Sequence, residues 1–219
     1  MAIFRVSTKA MARVAQDSTT IKRLRLGVGL VGIWLPFVVT IGHSVNVGRF
    51  TLPSSISGAY YTSMRDVFVG SLSAIGVFLI FYRTSLAADI LGTIAGLAAI
   101  GVALFPAKPD AVDLMVASTD TPGRVVHTIA AAVLFLSLAA FCFFLFPRTS
   151  RTGRKIIYYV SGVAIVAGFV LALVGSQILP DDVENTIRPL FWGETVAILA
   201  FGVAWFAKSN TLMPDPQET

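Results

Sequence analysis

The sequence predicts an all-α fold: a polytopic transmembrane bundle of six helices with both termini cytoplasmic, preceded by a basic amphipathic helix. Three observations carry this expectation. The 219-residue chain is 55% hydrophobic, with a mean hydropathy of +0.78. Only 13% of its residues are charged, where a soluble domain has about a quarter. The apolar residues also fall into six runs, and the basic residues gather on one side of them. So much apolar surface does not fit inside one soluble core, which excludes a soluble enzyme and a disordered chain. The single cysteine, Cys142, excludes an intramolecular disulfide and a multi-cysteine metal site. Its place in a phenylalanine-rich run makes it a packing residue.

The first segment, residues 1–25, is a cytoplasmic or interfacial arm. Ile3, Phe4, Ala10, Met11 and Val14 fall on one helical arc, and Arg5, Lys9 and Arg13 on the opposite one. That is the pattern of a basic helix lying in the membrane surface. The transmembrane domain follows over residues 26–208. A bilayer core about 30 Å thick needs about 20 apolar residues in a helix. The spans are Leu26–Val45, Asp66–Tyr82, Leu86–Phe105, Val125–Phe146, Ile156–Gln177 and Leu190–Ala207. Pro36 is placed to kink the first. The second and sixth are short, which predicts tilt or extension into the interface. Residues 209–219 read as a disordered cytoplasmic tail.

Basic residues choose the orientation. Twelve of the seventeen lie on the side of the termini: Arg5, Lys9, Arg13, Lys22, Arg23, Arg25, Arg83, Arg148, Arg151, Arg154, Lys155 and Lys208. Arg49, Arg65, Lys108, Arg124 and Arg188 lie on the other. The terminus side is therefore expected to be cytoplasmic. The first run is too long for a cleaved signal peptide and reads as an uncleaved anchor. The expected location is a bacterial plasma membrane, crossed several times.

Polar and ionisable residues at membrane depth are functional candidates. His43, Asp66, His127, Gln177 and Glu194 all lie near the outer ends of their spans, and Ser63, Arg65 and Arg124 adjoin them. These eight are the candidate pocket residues, and Asp66, His127 and Glu194 are the candidates for catalysis. The three are expected to line one outward cavity, with His43 at its edge. They would close an ion-pair network with Arg65 and Arg124. The same three could instead hold a divalent metal through nitrogen and oxygen ligands. The preceding loop, NVGRFTLPSSISGAYYTSM (46–64), is rich in turn formers. It runs into MRDVFVG (64–70), the most distinctive string in the chain.

The strings ISGAYYTSMRDVFVGSLSAIGVFLIFYR (56–83), LGTIAGLAAIGVALFPA (91–107), RVVHTIAAAVLFLSLAAF (124–141) and FWGETVAILAFGVAWFAK (191–208) resemble a large set of bacterial six-helix integral membrane proteins of no assigned activity. The resemblance implies a six-helix fold and no particular function. The layout is also distantly similar to the alkaline ceramidase superfamily, membrane hydrolases with Ser, Asp and three His around zinc. That likeness implies Ser63 and Asp66 as the first two. It departs in helix 2, which has no His, and in the last helix, which has Glu194 where that superfamily has a His-x3-His pair.

Three functions remain open at this point. The leading one is an accessory or structural membrane protein whose outward polar pocket binds a lipid headgroup, an ion or a partner protein, with no cofactor. The others are a metal-dependent lipid amide or ester hydrolase and a small transporter. The partners expected are membrane lipids and other membrane proteins, and no nucleic acid.

Overall fold

The computed structural model describes residues 8–105, 121–150, 152–180, 183 and 186–209. Long helices account for most of them, and no strand occurs among the described residues. The helices are α1 (Thr8–Val47), α2 (Arg65–Ile80), α3 (Leu86–Leu104), α4 (Thr121–Ala140), α5 (Thr152–Ile178) and α6 (Pro189–Lys208). Five of the six are long and apolar enough to cross a membrane. The exception is α2, whose 16 residues span about 24 Å against a bilayer core of about 30 Å.

Each element follows from local sequence. Helix α1 runs unbroken for 40 residues from the basic arm into the first span, with no separate in-plane helix between Thr8 and the span. It continues through Pro36, which leaves the Gly32 carbonyl without its usual donor. Helix α3 begins at Ser85, whose side chain accepts from the Ala88 N–H at 3.3 Å, a normal N-cap. Helix α6 begins at Pro189, where a missing N–H costs nothing. The residue before it, Arg188, takes a left-handed turn at φ 54°. Helix α4 passes into a π-helical turn, Phe141–Leu145, closed by the Phe146 N–H on the Phe141 carbonyl at 2.9 Å.

Sequential helices pack side by side, and α6 closes onto α1, so the six form a ring. The tightest contacts are made where glycines face each other. Gly29 of α1 lies against the Gly202 backbone of α6, and Gly168 of α5 against Gly193 of α6. Such small residues let helix backbones approach where no hydrophobic force drives them together, as in lipid. Large apolar side chains, including Trp34, Ile41, Leu97, Phe144 and Val163, are exposed on the outside of the ring. Apolar residues that a soluble protein would bury thus form the outer surface.

The ring has two ends. One carries the start of α1, the end of α6, and the α2–α3 and α4–α5 connections; we call it the terminus end. At the other, the far end, the middle of the connection 48–64 folds inward, with residues 53, 55–57 and 59 buried. The Ser44 hydroxyl donates to the Thr51 carbonyl at 2.9 Å and accepts from the Thr51 N–H at 3.2 Å. The chain then forms a 3₁₀ turn, Ser57–Tyr61, with Ser55, Ile56, Ser57 and Ala59 buried. The backbone polar groups buried there must find partners within the protein.

Candidate functional site

The inward turn places its N-terminus over the second helical turn of α6, where Glu194 sits. The backbone N–H groups of Ile56 and Ser57 donate to Glu194 Oε2 at 2.6 and 3.0 Å, and the Ser57 hydroxyl donates to Oε1 at 2.6 Å. A carboxylate is the natural partner for free N–H groups at the start of a helical turn. The turn itself is held by the Ser55 hydroxyl, which accepts from the Gly58 N–H at 2.7 Å.

His127 comes from the second turn of α4 and is buried. Its Nδ1 lies 2.9 Å from the Phe105 carbonyl oxygen. A carbonyl only accepts, so Nδ1 carries the proton, and in the neutral ring Nε2 offers a lone pair. Phe105 can serve because it ends α3 in extended backbone, as a residue before proline tends to do. Its carbonyl is therefore turned out of the helical ladder.

Glu194, His127 and Ser57 all line one interior cavity of about 50 Å³, room for one or two waters at about 30 Å³ each. The remaining walls are apolar and come from α1, α2, α3, α4 and α6, among them Leu35, Leu72, Val102, Leu134 and Phe201. Helix α5 contributes none of them. On α4 the walls run from His127 to Leu138, about 16 Å at a rise of 1.5 Å per residue. The site is thus a slender apolar slot with three polar groups at its far end.

Hydrogen-bond capacity decides what those groups can meet. A carboxylate accepts about four hydrogen bonds. Glu194 receives three from the protein, two of them on Oε2, so one acceptor position remains on Oε1. Nε2 of a neutral His127 is an acceptor. The Ser57 hydroxyl spends its one O–H on the hydrogen bond to Glu194, so its lone pairs are left to accept. With a neutral His127 ring, the head of the slot offers acceptors.

Of the eight residues that the sequence singled out, the structure brings two together. Asp66 is exposed in the first turn of α2 and is not part of the cavity wall. Ser63 and Arg65 are exposed beside it. The expected network of arginines and carboxylates does not form. Arg65 instead stacks on Tyr60, 4.4 Å from the ring centre, and donates to its hydroxyl at 2.9 Å. Arg124 is half-buried one turn outward from His127, and His43 is half-buried on α1; neither lines the cavity. Gln177 lies in the last turn of α5, and its side chain falls outside the described residues. The acidic loop residues Asp110, Asp113, Asp120, Asp181, Asp182 and Glu184 fall outside them as well.

The alternative metal set of His127, Asp66 and Glu194 does not assemble, since Asp66 is elsewhere. Among the described residues no three His, Cys, Asp or Glu side chains come close enough to hold a metal. Two elements of the site escaped the sequence reading: Ser57 with its neighbouring N–H groups, and the Phe105 carbonyl. The signal for the first was present in the string Ser54-Ser55-Ile56-Ser57-Gly58, a cluster of turn formers next to a membrane span. Comparison with protein-family models, curated proteins and solved structures finds no match to the chain. The resemblances drawn from the sequence therefore gain no support, and the functional reading rests on the site.

Proposed function

We propose that the protein is a multi-pass membrane protein that holds a slender amphiphile in its interhelical slot. The ligand's head is a hydrogen-bond donor, a hydroxyl or an ammonium, seated between Glu194 Oε1, Ser57 Oγ and His127 Nε2. The cavity of about 50 Å³ takes the head, and the apolar part follows the slot as the apolar side chains lining it move aside. The single observation behind this reading is the composition of the wall: apolar side chains throughout, with three polar groups, Glu194, Ser57 and His127, at one end. Sites that bind small molecules share this layout of an apolar pocket with a few convergent polar groups. An anionic head is disfavoured, because it would meet the Glu194 carboxylate.

In this proposal all six helices cross the membrane and the terminus end faces the cytoplasm, as the basic residues favour. The short α2 is completed by the inward turn at 55–64, which fills the remaining depth. The role is that of a lipid-binding accessory protein in a plasma membrane.

The test is extraction and mass spectrometry of the protein purified in a detergent without free hydroxyl or amine groups. The wild type should carry a hydroxyl- or amine-bearing amphiphile near one per chain. Leu134→Trp, which fills the slot, should lose it while its thermal midpoint stays within a few degrees. Equal amounts in both proteins, or none above background in the wild type, would sink the proposal.

A further inference from the structure

A count of donors and acceptors narrows what the head of the slot can take. Ser57 and Glu194 touch at 2.6 Å, and His127 lies within electrostatic reach of Glu194. Their own protons are spent: the Ser57 O–H on Glu194, and the Nδ1–H of a neutral His127 on the Phe105 carbonyl. One acceptor position remains on Glu194 Oε1, one on His127 Nε2, and the lone pairs on Ser57 Oγ. The complement of three acceptor groups is a head with three donors and no lone pair. A primary ammonium is such a head. A hydroxyl has one O–H and two lone pairs, so it satisfies one acceptor and turns lone pairs toward the others.

Charge and size point the same way. Glu194 is the one carboxylate in the cavity wall, and no lysine or arginine joins it there. Arg65 is stacked on Tyr60, and Arg124 does not line the cavity. The groups that contact the Glu194 carboxylate are donors, as suits an ionised carboxylate. A charge among apolar walls is costly unless it is paired, and hydrogen bonds between ions are roughly twice as strong as neutral ones. A cavity of about 50 Å³ has room for one or two waters at about 30 Å³ each. An –NH₃⁺ group is of that size. A trimethylammonium is larger and has no N–H to donate. A phospholipid ammonium brings its phosphate with it, and the wall holds no cation to receive one.

We infer that the slot selects a primary ammonium carried on a single alkyl chain, the ammonium donating to Glu194 Oε1, Ser57 Oγ and His127 Nε2. This rests on the slot being a ligand site, and it narrows the ligand from a hydroxyl or an ammonium to one class. The chain follows the apolar wall from His127 toward Leu138, a path of about 16 Å.

The experiment follows the thermal midpoint of the full chain against probe concentration, in a detergent without free hydroxyl or amine groups, at about pH 8, where a free imidazole is neutral. The probes are dodecylamine, dodecanol and dodecyltrimethylammonium, which share one chain. Dodecylamine should raise the midpoint in a saturable way and bind at least about tenfold more tightly than dodecanol, the difference between a charge-assisted and a neutral hydrogen bond. Dodecyltrimethylammonium should give no saturable rise. Glu194→Gln, which keeps a carbonyl oxygen for the inward turn, should lose the preference for the amine over the alcohol. Leu134→Trp should abolish the response to both. Equal or tighter binding of dodecanol would overturn the inference and leave the slot standing as a ligand site. So would equal binding of dodecyltrimethylammonium, or an amine preference that persists in Glu194→Gln. No response to any probe, or responses unchanged in Leu134→Trp, would overturn the slot itself.

Discussion

Replacing Glu194 by alanine tests the structural core of the site. The carboxylate holds three donors, two of them backbone N–H groups of the inward turn. Ile56 is wholly buried and Ser57 nearly so, so bulk water cannot take over. Each orphaned donor costs about 1–3 kcal/mol. The Ser57 hydroxyl can rotate toward Ser55 Oγ, 3.5 Å away, which leaves the two N–H groups. A water in the cavity recovers part of their loss, so the net expectation is about 3 kcal/mol. In a chain of this size that corresponds to about 6–12 °C in the thermal midpoint. Glu194→Gln retains a carbonyl oxygen for the N–H pair, and its amide can donate to Ser57 Oγ. It loses only the charge assistance, about 1 kcal/mol, or about 2–4 °C. Arg65→Gln, which removes an exposed stack on Tyr60, should cost less than about 1 kcal/mol. The assay is thermal unfolding in detergent, with amide hydrogen exchange at Ile56 and Ser57 as a local readout. Exchange there should accelerate in Glu194→Ala and stay slow in Glu194→Gln. If Arg65→Gln or Arg124→Gln destabilised as much as Glu194→Ala, an ion-pair network would be indicated and the capped-turn account would be wrong.

Three further outcomes are expected. In a background with the buried Cys142 replaced by alanine, a cysteine at Asp113 should react with an impermeant reagent added outside cells and one at Thr152 should not; the reverse pattern would invert the orientation. A Cβ at Gly168 would lie 2.5 Å from the Gly193 carbonyl oxygen, so Gly168→Ala should destabilise by about 1–3 kcal/mol through overpacking. Gly70→Ala, with open space around its Cβ, should be neutral or slightly stabilising in the same unfolding assay, and equal effects would refute the close α5–α6 approach. A chelator should leave the wild-type midpoint unchanged, since among the described residues no third ligand joins His127 and Glu194 in the cavity; a clear drop would revive the metal site.

The helices were legible because their cause is one-dimensional. A run of apolar residues long enough to cross lipid has few alternatives to helix, and the spans beginning at Leu86 and ending near Lys208 match α3 and α6 closely. What the pattern could not give was the fate of sequences that suit two environments. The basic arm before Leu26 has the amphipathicity of a surface helix, yet from Thr8 it is continuous with α1. Nothing between them, neither glycine nor proline until Gly27, breaks the helical ladder. The second span read as short because it is short: the chain enters the bundle through the 3₁₀ turn and becomes regular only at Arg65.

For the site, depth along a helix was legible and azimuth was not. His127 and Glu194 were found because an ionisable residue in an apolar run is visible in one dimension. Asp66 shares their depth but faces outward, and a rotation of about 100° per residue separates a wall residue from an exposed one. The partner of Glu194 was missed for a different reason. Sequence displays charges, so a buried carboxylate invites a search for arginines; backbone N–H groups belong to every residue, and only the fold decides which are left over. Here two are left over at the start of a 3₁₀ turn, and they satisfy Glu194 without a cation. That changes the chemistry of the slot. A carboxylate neutralised by arginine would leave a surplus of donors and would favour an anionic head. One capped by N–H groups keeps an acceptor on Oε1, and in the proposed function this acceptor and His127 Nε2 favour a donor. The proposed ligand class at the far end therefore follows from which kind of group the carboxylate met first.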